Sequence, residues 1–478
     1  MTNSIALRPS YKLAARVRFA SLALLASVAG VVAVPAHADW SNLGGGSGRN
    51  GLVPAFGPTT ATSRWNGAPT SLISWTPIVE GDRLFVVRQL QAQNPVQGPG
   101  DSPVYAMRVS TGQVLWSFDC PFDSGDWTTV VYGAKNGRVF VGRGGNGSSV
   151  SAPVYCLDAA TGSVLWISTD EVATGAYDGV VFADDGDPIF ASHLSIRRVD
   201  AVTGATVWTT PRSCSVSGDC GPARAGNSIY IDEVGSGGQK LTRIDIDTGA
   251  KLYSSAIMPG FLSQNTPFCG PDGLVYYPRT QGNQTTDFLY AFRDTGKGFQ
   301  QLWTSPALAG AGSQHGITAN GGVVMLNLSG RLEVRDQVTG ALRHQTANSV
   351  AASITQSHVA VDGAGRIYYG NGGFPGTIYS FNPDLTLRWS ISVPNLNQGG
   401  PVIAGDGTLL VAGNSTNFRA FYTPSCAAAD FNCDGAVGAA DLATLLSGWG
   451  AAGATDLNGD GSTGAPDLAI LLGAWTAN

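Results

Sequence analysis

Short apolar runs recur along the chain, each following a turn rich in Gly, Asp or Asn. They are Leu84-Phe85-Val86-Val87, Val139-Phe140-Val141, Ile189-Phe190, Ile229-Tyr230-Ile231, Val275-Tyr276-Tyr277, Val323-Val324-Met325, Ile367-Tyr368-Tyr369 and Leu409-Leu410-Val411. Runs this short between turn formers read as buried strands. Downstream of each run lies a second pattern. Apolar–polar alternation leads to an Asp, a Thr-Gly pair turns the chain, and another strand ends near a Trp. Asp158, Thr161-Gly162 and Trp166 show it most plainly; Thr111-Gly112 with Trp116, Asp200 through Thr203-Gly204 to Trp208, and Asp245 through Thr248-Gly249 to Tyr253 repeat it. Asp294-Thr295-Gly296 reaches Trp303 after an insertion, Asp336 with Thr339-Gly340 ends at His344, and Asn382 to Trp389 is a shortened copy.

The unit is a hairpin. Gly supplies positive φ at the turn, and the Asp carboxylate can accept from turn amides, so it is expected to be structural in each copy. The Trp is a wide apolar wedge suited to packing one sheet on the next. Eight such units follow one another. The last, ending in Phe418 to Tyr422, lacks a Trp strand, and an unpartnered one stands at the other end in Ser63-Arg64-Trp65. Trp65 to Trp389 covers seven intervals of about 46 residues, the length of a four-stranded propeller blade. Joining the N-terminal strand to the last blade would close the ring and remove its open edges. The sequence therefore predicts an all-β, eight-bladed β-propeller.

These residues resemble the quinoprotein-like, or pyrroloquinoline quinone (PQQ) repeat, propellers, with their D-x-x-T-G-x-x-x-W core. Trp40 with Gly44-Gly45-Gly46 and Arg49-Asn50-Gly51 is similar to the lead-in that precedes many of them. The resemblance spans residues 39–424 and implies either a PQQ-dependent alcohol dehydrogenase or a non-catalytic scaffold of the outer-membrane assembly type. The dehydrogenases it points to carry adjacent cysteines over the quinone and a calcium held by Glu and Asn. No two of the seven cysteines here are adjacent, and Glu80, Glu171, Glu233 and Glu333 fall in no such motif. PQQ is not expected, and no catalytic residue is assigned. Carboxylate pairs for glycoside cleavage would have to be assembled across blades.

Composition changes after Pro424. Asp430, Asn432, Asp434 and Asp441 stand at positions 1, 3, 5 and 12 of a loop with Gly435 at position 6. Asp456, Asn458, Asp460 and Asp467, with Gly461, repeat the register 26 residues later. Calcium needs six to eight oxygens, and a twelve-residue loop supplies them from these positions plus the position-7 carbonyl, here Ala436 and Ser462. Two Ca2+ ions are expected, with metal supplying much of the folding free energy of so small a unit. A Leu-rich helix follows each loop and none precedes it. The segment 425–478 thus resembles a dockerin type I module, a small all-α, EF-hand-like calcium-binding domain. That resemblance implies a cohesin-like or cell-surface protein partner, often in polysaccharide-degrading assemblies. The usual Ser-Thr at positions 10 and 11 is replaced by Ala439-Ala440 and Ala465-Pro466, which loosens the link to cohesin. Trp449 and Trp475, equivalently placed, read as packing residues.

Lys12, Arg16 and Arg18, the apolar stretch Phe19–Val34 and Ala36-His37-Ala38 describe a secretory signal peptide over 1–38, cut before Asp39. The mature chain is then secreted, whether extracellular, cell-surface or periplasmic, with no membrane span. Export favours local disulfides for Cys214 with Cys220 and Cys426 with Cys433. Cys156, in an apolar strand pattern, is expected to be a buried hydrophobe, and the pairing of Cys120 and Cys269 stays open. A net charge of -6 without a basic cluster excludes a nucleic-acid partner.

Four histidines follow the signal segment: His193, His315, His344 and His358. His344 takes a Trp position, so packing is expected to hold it. His315, Gln264-Asn265 and Gln398-Gly399-Gly400 fall where chains enter blades, and His315 reads first as a loop histidine. Together they hint at a polar channel mouth for a protein or carbohydrate ligand. The functional expectation is a secreted non-catalytic scaffold with a calcium-binding tail. The alternatives are a PQQ oxidoreductase and a polysaccharide-binding accessory component.

Overall fold

The computed structural model describes residues 40–67, 77–87, 103–123, 128–144, 150–174, 179–192, 194–214, 221–259, 266–280, 286–309, 315–351, 358–373, 375–393, 396, 400–412, 418–424, 428–431 and 437–476. The expected signal segment, His193, Gln264-Asn265, Gln398-Gly399, Cys220, Cys426, Cys433, Asn432, Asp434, Gly435 and Ala436 lie outside them.

Each apolar run is the second strand of a four-stranded antiparallel meander, and there are eight meanders. Blade 1 runs Ile78–Glu80, Arg83–Val87, Val104–Arg108 and Val114–Phe118. The first strands of blades 2 to 8 are Thr128–Lys135, Val180–Phe182, Ala223–Ala225, Phe268–Cys269, Gly316–Thr318, His358–Val361 and Val402–Ile403. The first and second strands of most meanders are the most buried, as near-continuous apolar runs require, the third strands alternate, and the fourth strands are half-exposed. The ring closes as the repeat count demands. Ser63–Asn66 pairs antiparallel with Arg419–Phe421 and becomes the outer strand of blade 8. Arg64 reinforces the closure by pairing with Asp406 at 2.5 Å.

The Asp-Thr-Gly turns have the expected chemistry. Asp158 Oδ1 accepts from the amides of Ala160 and Thr161 and from the Thr161 hydroxyl at 2.8–3.0 Å, and Asp200, Asp245 and Asp336 repeat the arrangement. The Thr161 hydroxyl and amide hold the Asp158 carboxyl below the ordinary range, and the same turn donors do so for the other three. Each Trp then crosses to the next blade. Trp65, Trp116, Trp166, Trp208 and Trp303 lie over Gly112, Gly162, Gly204, Gly249 and Gly340, so close that a Cβ there would stand 2.6–2.8 Å from the indole. Their Nε1–H groups donate to the carbonyls of Val109, Ala159, Ala201, Ile246 and Gln337 at 2.7–3.1 Å.

Three seams depart from this rule. Tyr253 replaces the Trp between blades 4 and 5, and its hydroxyl donates to Asp294, which also accepts from Tyr230 at 2.7 Å. Between blades 6 and 7, His344 is exposed on the outer strand Leu342–Gln345, so the expectation that packing holds it is corrected. An imidazole is too short and too polar to bridge the seam as an indole does. Trp389 packs against Tyr368 within its own blade, and its Nε1 finds no partner among the described residues.

In the C-terminal segment, helix α1 spans Ala439–Ser447 and α2 spans Ala465–Gly473. Asp441 and Asp467 sit at the third helical position, where their carboxylates accept from the amides of Gly438 and Gly464. Leu445 and Leu471 are fully buried in a small core with Ala429 and Val437. Among the described residues no helix is long and apolar enough to cross a membrane.

Candidate metal loops and the propeller channel

The second loop lies wholly within the described residues. Asp456 Oδ1 accepts from the amides of Gly459 and Asp460, and its Oδ2 from Gly461 at 2.8 Å. Gly461, at position 6, turns the chain with φ +93°. Asp467, fully buried, accepts from Leu457 and Asn458 with one oxygen and from Gly464 with the other. Asn458 and Asp460 bond to one another, and Ser462 N donates to Asp460. In the first loop Asp430 and Asp441 are buried, and Asp441 accepts from Phe431 and Gly438 as Asp467 does from Leu457 and Gly464. At Asp441 and Asp467 the 26-residue repeat is therefore a repeat in space.

The two halves are also cross-braced. Val437 exchanges bonds with Thr476, just past α2, while Thr463, the corresponding residue of loop 2, bonds Gly450 and Ala451, just past α1. Each loop is thus pinned to the end of the other half's helix. Among the described residues no group of three His, Cys, Asp or Glu side chains converges as a metal cage. The donor set nonetheless fits a hard cation. The described carboxylates are fixed by amides that use only part of their four lone-pair directions, and the remaining ones, with Asn458 and the Ser462 carbonyl, are oxygen donors of the kind calcium takes.

Trp449 and Trp475 correct an expectation. They are 49% and 41% exposed, with Leu446 and Leu472 beside them at 52% and 53%. Each of these nine-residue helices buries one Leu fully, and Leu445 and Leu471 take those places.

The lead-in is where the structure adds most. Residues 40–57 travel once around one end of the channel. The carbonyls of Trp40, Ser41, Ser47, Gly48, Asn50 and Gly51 accept from Val79, Ala134, Arg224, Cys269, Ile317 and Val361, the first strands of blades 1, 2, 4, 5, 6 and 7, at 2.7–3.0 Å. Arg49 and Leu43 press on Gly179 at blade 3, and the Phe56 carbonyl lies against Gly407 of blade 8. All eight blades touch this belt. Its glycines allow the approach; at Gly51, φ +66°, a Cβ would meet the Val359 carbonyl at 2.6 Å. Trp40, fully buried, anchors its start.

His315 is a loop residue, as expected, and the structure adds that it is buried. It lies where the chain enters blade 6, tilted against Phe268 with ring centroids 5.8 Å apart. Neither ring nitrogen has a hydrogen-bond partner among the described residues, and burial pushes its pKa down to about 4. It is an uncharged wall residue across ordinary pH. Gly400, the one described residue of the third polar stretch, is buried at the entrance to blade 8. Cys156 is fully buried, its thiol pushed up to about 12 by desolvation, as its strand pattern implied. Cys269 is likewise buried in blade 5. With these cysteines in different blades and none of the seven adjacent in sequence, the residues present do not fit a quinone clamped under a disulfide of neighbouring cysteines.

Among solved structures, the fold is similar to the computationally designed Ika8 protein (14% identity, 76% of this chain and 99% of that one, TM-score 0.51). It is also similar to quinohemoprotein alcohol dehydrogenase from Comamonas testosteroni (12% identity, 80% of each chain, TM-score 0.50). BamB from Moraxella catarrhalis matches with 15% identity over 70% of this chain and 98% of that one, at TM-score 0.47. At such identities the likeness is one of fold alone. No curated protein matches the chain. The family model described as outer membrane protein assembly factor BamB, a PQQ-repeat model, matches residues 100–346, and the chain belongs to that family of propellers.

Proposed function

We propose that this is an exported, non-catalytic propeller scaffold, binding a protein or other ligand at its channel face and attached or sorted through a calcium-loaded, dockerin-like tail. The observation that carries the scaffold reading is the belt. The chain spends its own backbone groups along the first strands at one end of the ring, which supports reading that end as a braced wall. A propeller so braced is a rigid platform, and family membership with an assembly factor is consistent with that use. The tail reading is supported by the repeated carboxylate geometry at Asp441 and Asp467 and by the amide-bonded Asp456 of the second loop. A signal peptide over 1–38 would deliver the chain to a compartment rich in calcium.

The test uses the full mature chain. Cross-linking in its native compartment, followed by mass spectrometry, should return a defined protein neighbour at the propeller. Sedimentation with insoluble polysaccharide distinguishes a carbohydrate ligand. Alcohol-dependent dye reduction after incubation with PQQ and calcium would overturn the scaffold reading in favour of an oxidoreductase.

A further inference from the structure

The two halves of the C-terminal segment are built into one another. Leu445 of α1 and Leu471 of α2 share one core with Ala429 and Val437, and Phe431, Leu442, Leu457 and Leu468 pack against it. A core this small needs both halves to exist. The bonds between the halves keep the 26-residue offset of the loops. Thr476 N donates to the Val437 carbonyl at 3.1 Å, and Gly450 N donates to the Thr463 carbonyl at 2.9 Å. Val437 and Thr463 stand at position 8 of their loops, and both are buried. Gly450 and Thr476 each lie three residues past the end of a helix.

Position 8 matters because of the peptide group that precedes it. Thr463 N donates to the Ala451 carbonyl at 2.8 Å. That N–H and the Ser462 carbonyl belong to one rigid plane and point in opposite directions, so holding one aims the other. The Ser462 carbonyl is the position-7 oxygen that loop 2 would offer a calcium ion. In loop 1 the Val437 amide donates to the Thr476 hydroxyl oxygen at 2.8 Å. Each loop is thus held at position 8 by residues that follow the other half's helix. The far end of each helix closes the circuit. α1 begins around Asp441, position 12 of loop 1, and α2 around Asp467, position 12 of loop 2, and both carboxylates are bonded to the amide just before their helix. A physical path therefore runs from the position-12 carboxylate of one loop, along a nine-residue helix, to position 8 of the other.

We propose that the two loops bind calcium cooperatively, each holding position 8 of the other through the helix it begins, with Thr476 as a positioning residue for loop 1. The proposal rests on the calcium reading of the tail given above. An ion at loop 1 fixes Asp441 and the start of α1, whose end holds Thr463. An ion at loop 2 fixes Asp467 and α2, whose end holds Val437. The first ion orders the shared core and the braces, so the second finds its loop already held and binds more tightly, equally in either order.

The experiment is calorimetric titration of calcium into the mature full-length protein after removal of metal by chelator. The wild type should take up two ions, the second at least about tenfold more tightly than independent filling gives. Asp456→Ala should leave one ion at loop 1, bound at least about tenfold more weakly than in the wild type, and Asp430→Ala should do the same at loop 2. Thr476→Val keeps the side-chain volume and removes the acceptor. It should weaken calcium binding about fivefold, and Thr476→Ser, which keeps the oxygen, should restore it. A brace that only stabilised the fold would lower the unfolding midpoint of the tail in chelator and leave the calcium affinity in place, so that result for Thr476→Val overturns the positioning role. Two ions binding independently, with each single-loop variant keeping native affinity at its intact loop, overturn the coupling and leave the calcium reading standing. A wild type that binds no calcium overturns the calcium reading itself, and the coupling with it.

Discussion

The indole of Trp116 lies in the space that a Cβ on Gly162 would fill, and its Nε1–H donates to the Ala159 carbonyl at 3.1 Å. One residue of blade 1 and one turn of blade 2 thereby fix the seam between them, and five of the eight seams are made this way.

Gly162→Ala should destabilise the propeller by about 2–4 kcal/mol, part from the positive φ and part from the clash. Gly296→Ala, with φ +79° but nothing within 4 Å of its Cβ, should cost only the conformational part, about 1–2 kcal/mol. In a Trp116→Ala background the cost at Gly162 should fall to that level. Denaturant midpoints across the cycle measure this coupling.

Trp40→Ala should cost about 3–5 kcal/mol, the range for emptying a fully buried aromatic site. Because Trp40 anchors a belt that touches every blade, the loss should appear as a lower midpoint of the whole propeller transition. A local loosening near residue 40 seen by hydrogen exchange, with an unchanged global midpoint, would show that the belt is an ornament of the ring.

His315 gives a pH dependence of defined sign. Its folded pKa of about 4 lies below the unfolded value near 6.5, so the unfolded chain takes up the proton first. Its contribution is intact above about pH 6.5, is lost as pH falls toward 4, and levels off below. The loss should be on the order of 3 kcal/mol. His315→Phe should remove this segment of the stability–pH curve, and a ring titrating near 6.5 by NMR would refute the assignment.

The turn carboxylates act lower on the scale. Asp158, Asp200, Asp245 and Asp336 are held below the ordinary range by their Thr donors, so their stabilisation is present above the unfolded value near 4 and disappears as pH falls through the folded ones. These groups are partly solvated, so the acid slope should be shallow. Replacing all four by Asn should flatten it in urea titrations between pH 5 and 2.

Calcium should raise the stability of residues 425–478 by about 4 kcal/mol for each ion bound, about 8 kcal/mol for two independent sites, at a thousandfold excess over its dissociation constant. Chelator, or Asp430→Ala with Asp456→Ala, should abolish that gain while the propeller transition stays in place. Calorimetry reading two ions on the double variant with native affinity would sink the metal assignment.

What the sequence by itself determined is what local chemistry determines. The Asp158–Thr161–Gly162 turn is legible because its donors, acceptor and positive φ lie within five residues. The blade count follows because the unit repeats, and ring closure because Ser63–Asn66 and Arg419–Phe421 are the two leftovers. The registers of Asp430 and Asp456 are visible for the same reason. The tertiary structure decided what depends on partners far along the chain. The belt has no period, and the residues bonding it run from Val79 to Gly363, so nothing local marks its circuit. His315 is buried by Phe268, 47 positions away in another blade, and no loop pattern encodes that. Trp449 and Trp475 looked like core because Trp usually is. Only the docking of two short helices, which takes Leu445 and Leu471 into the core, left those rings on the surface.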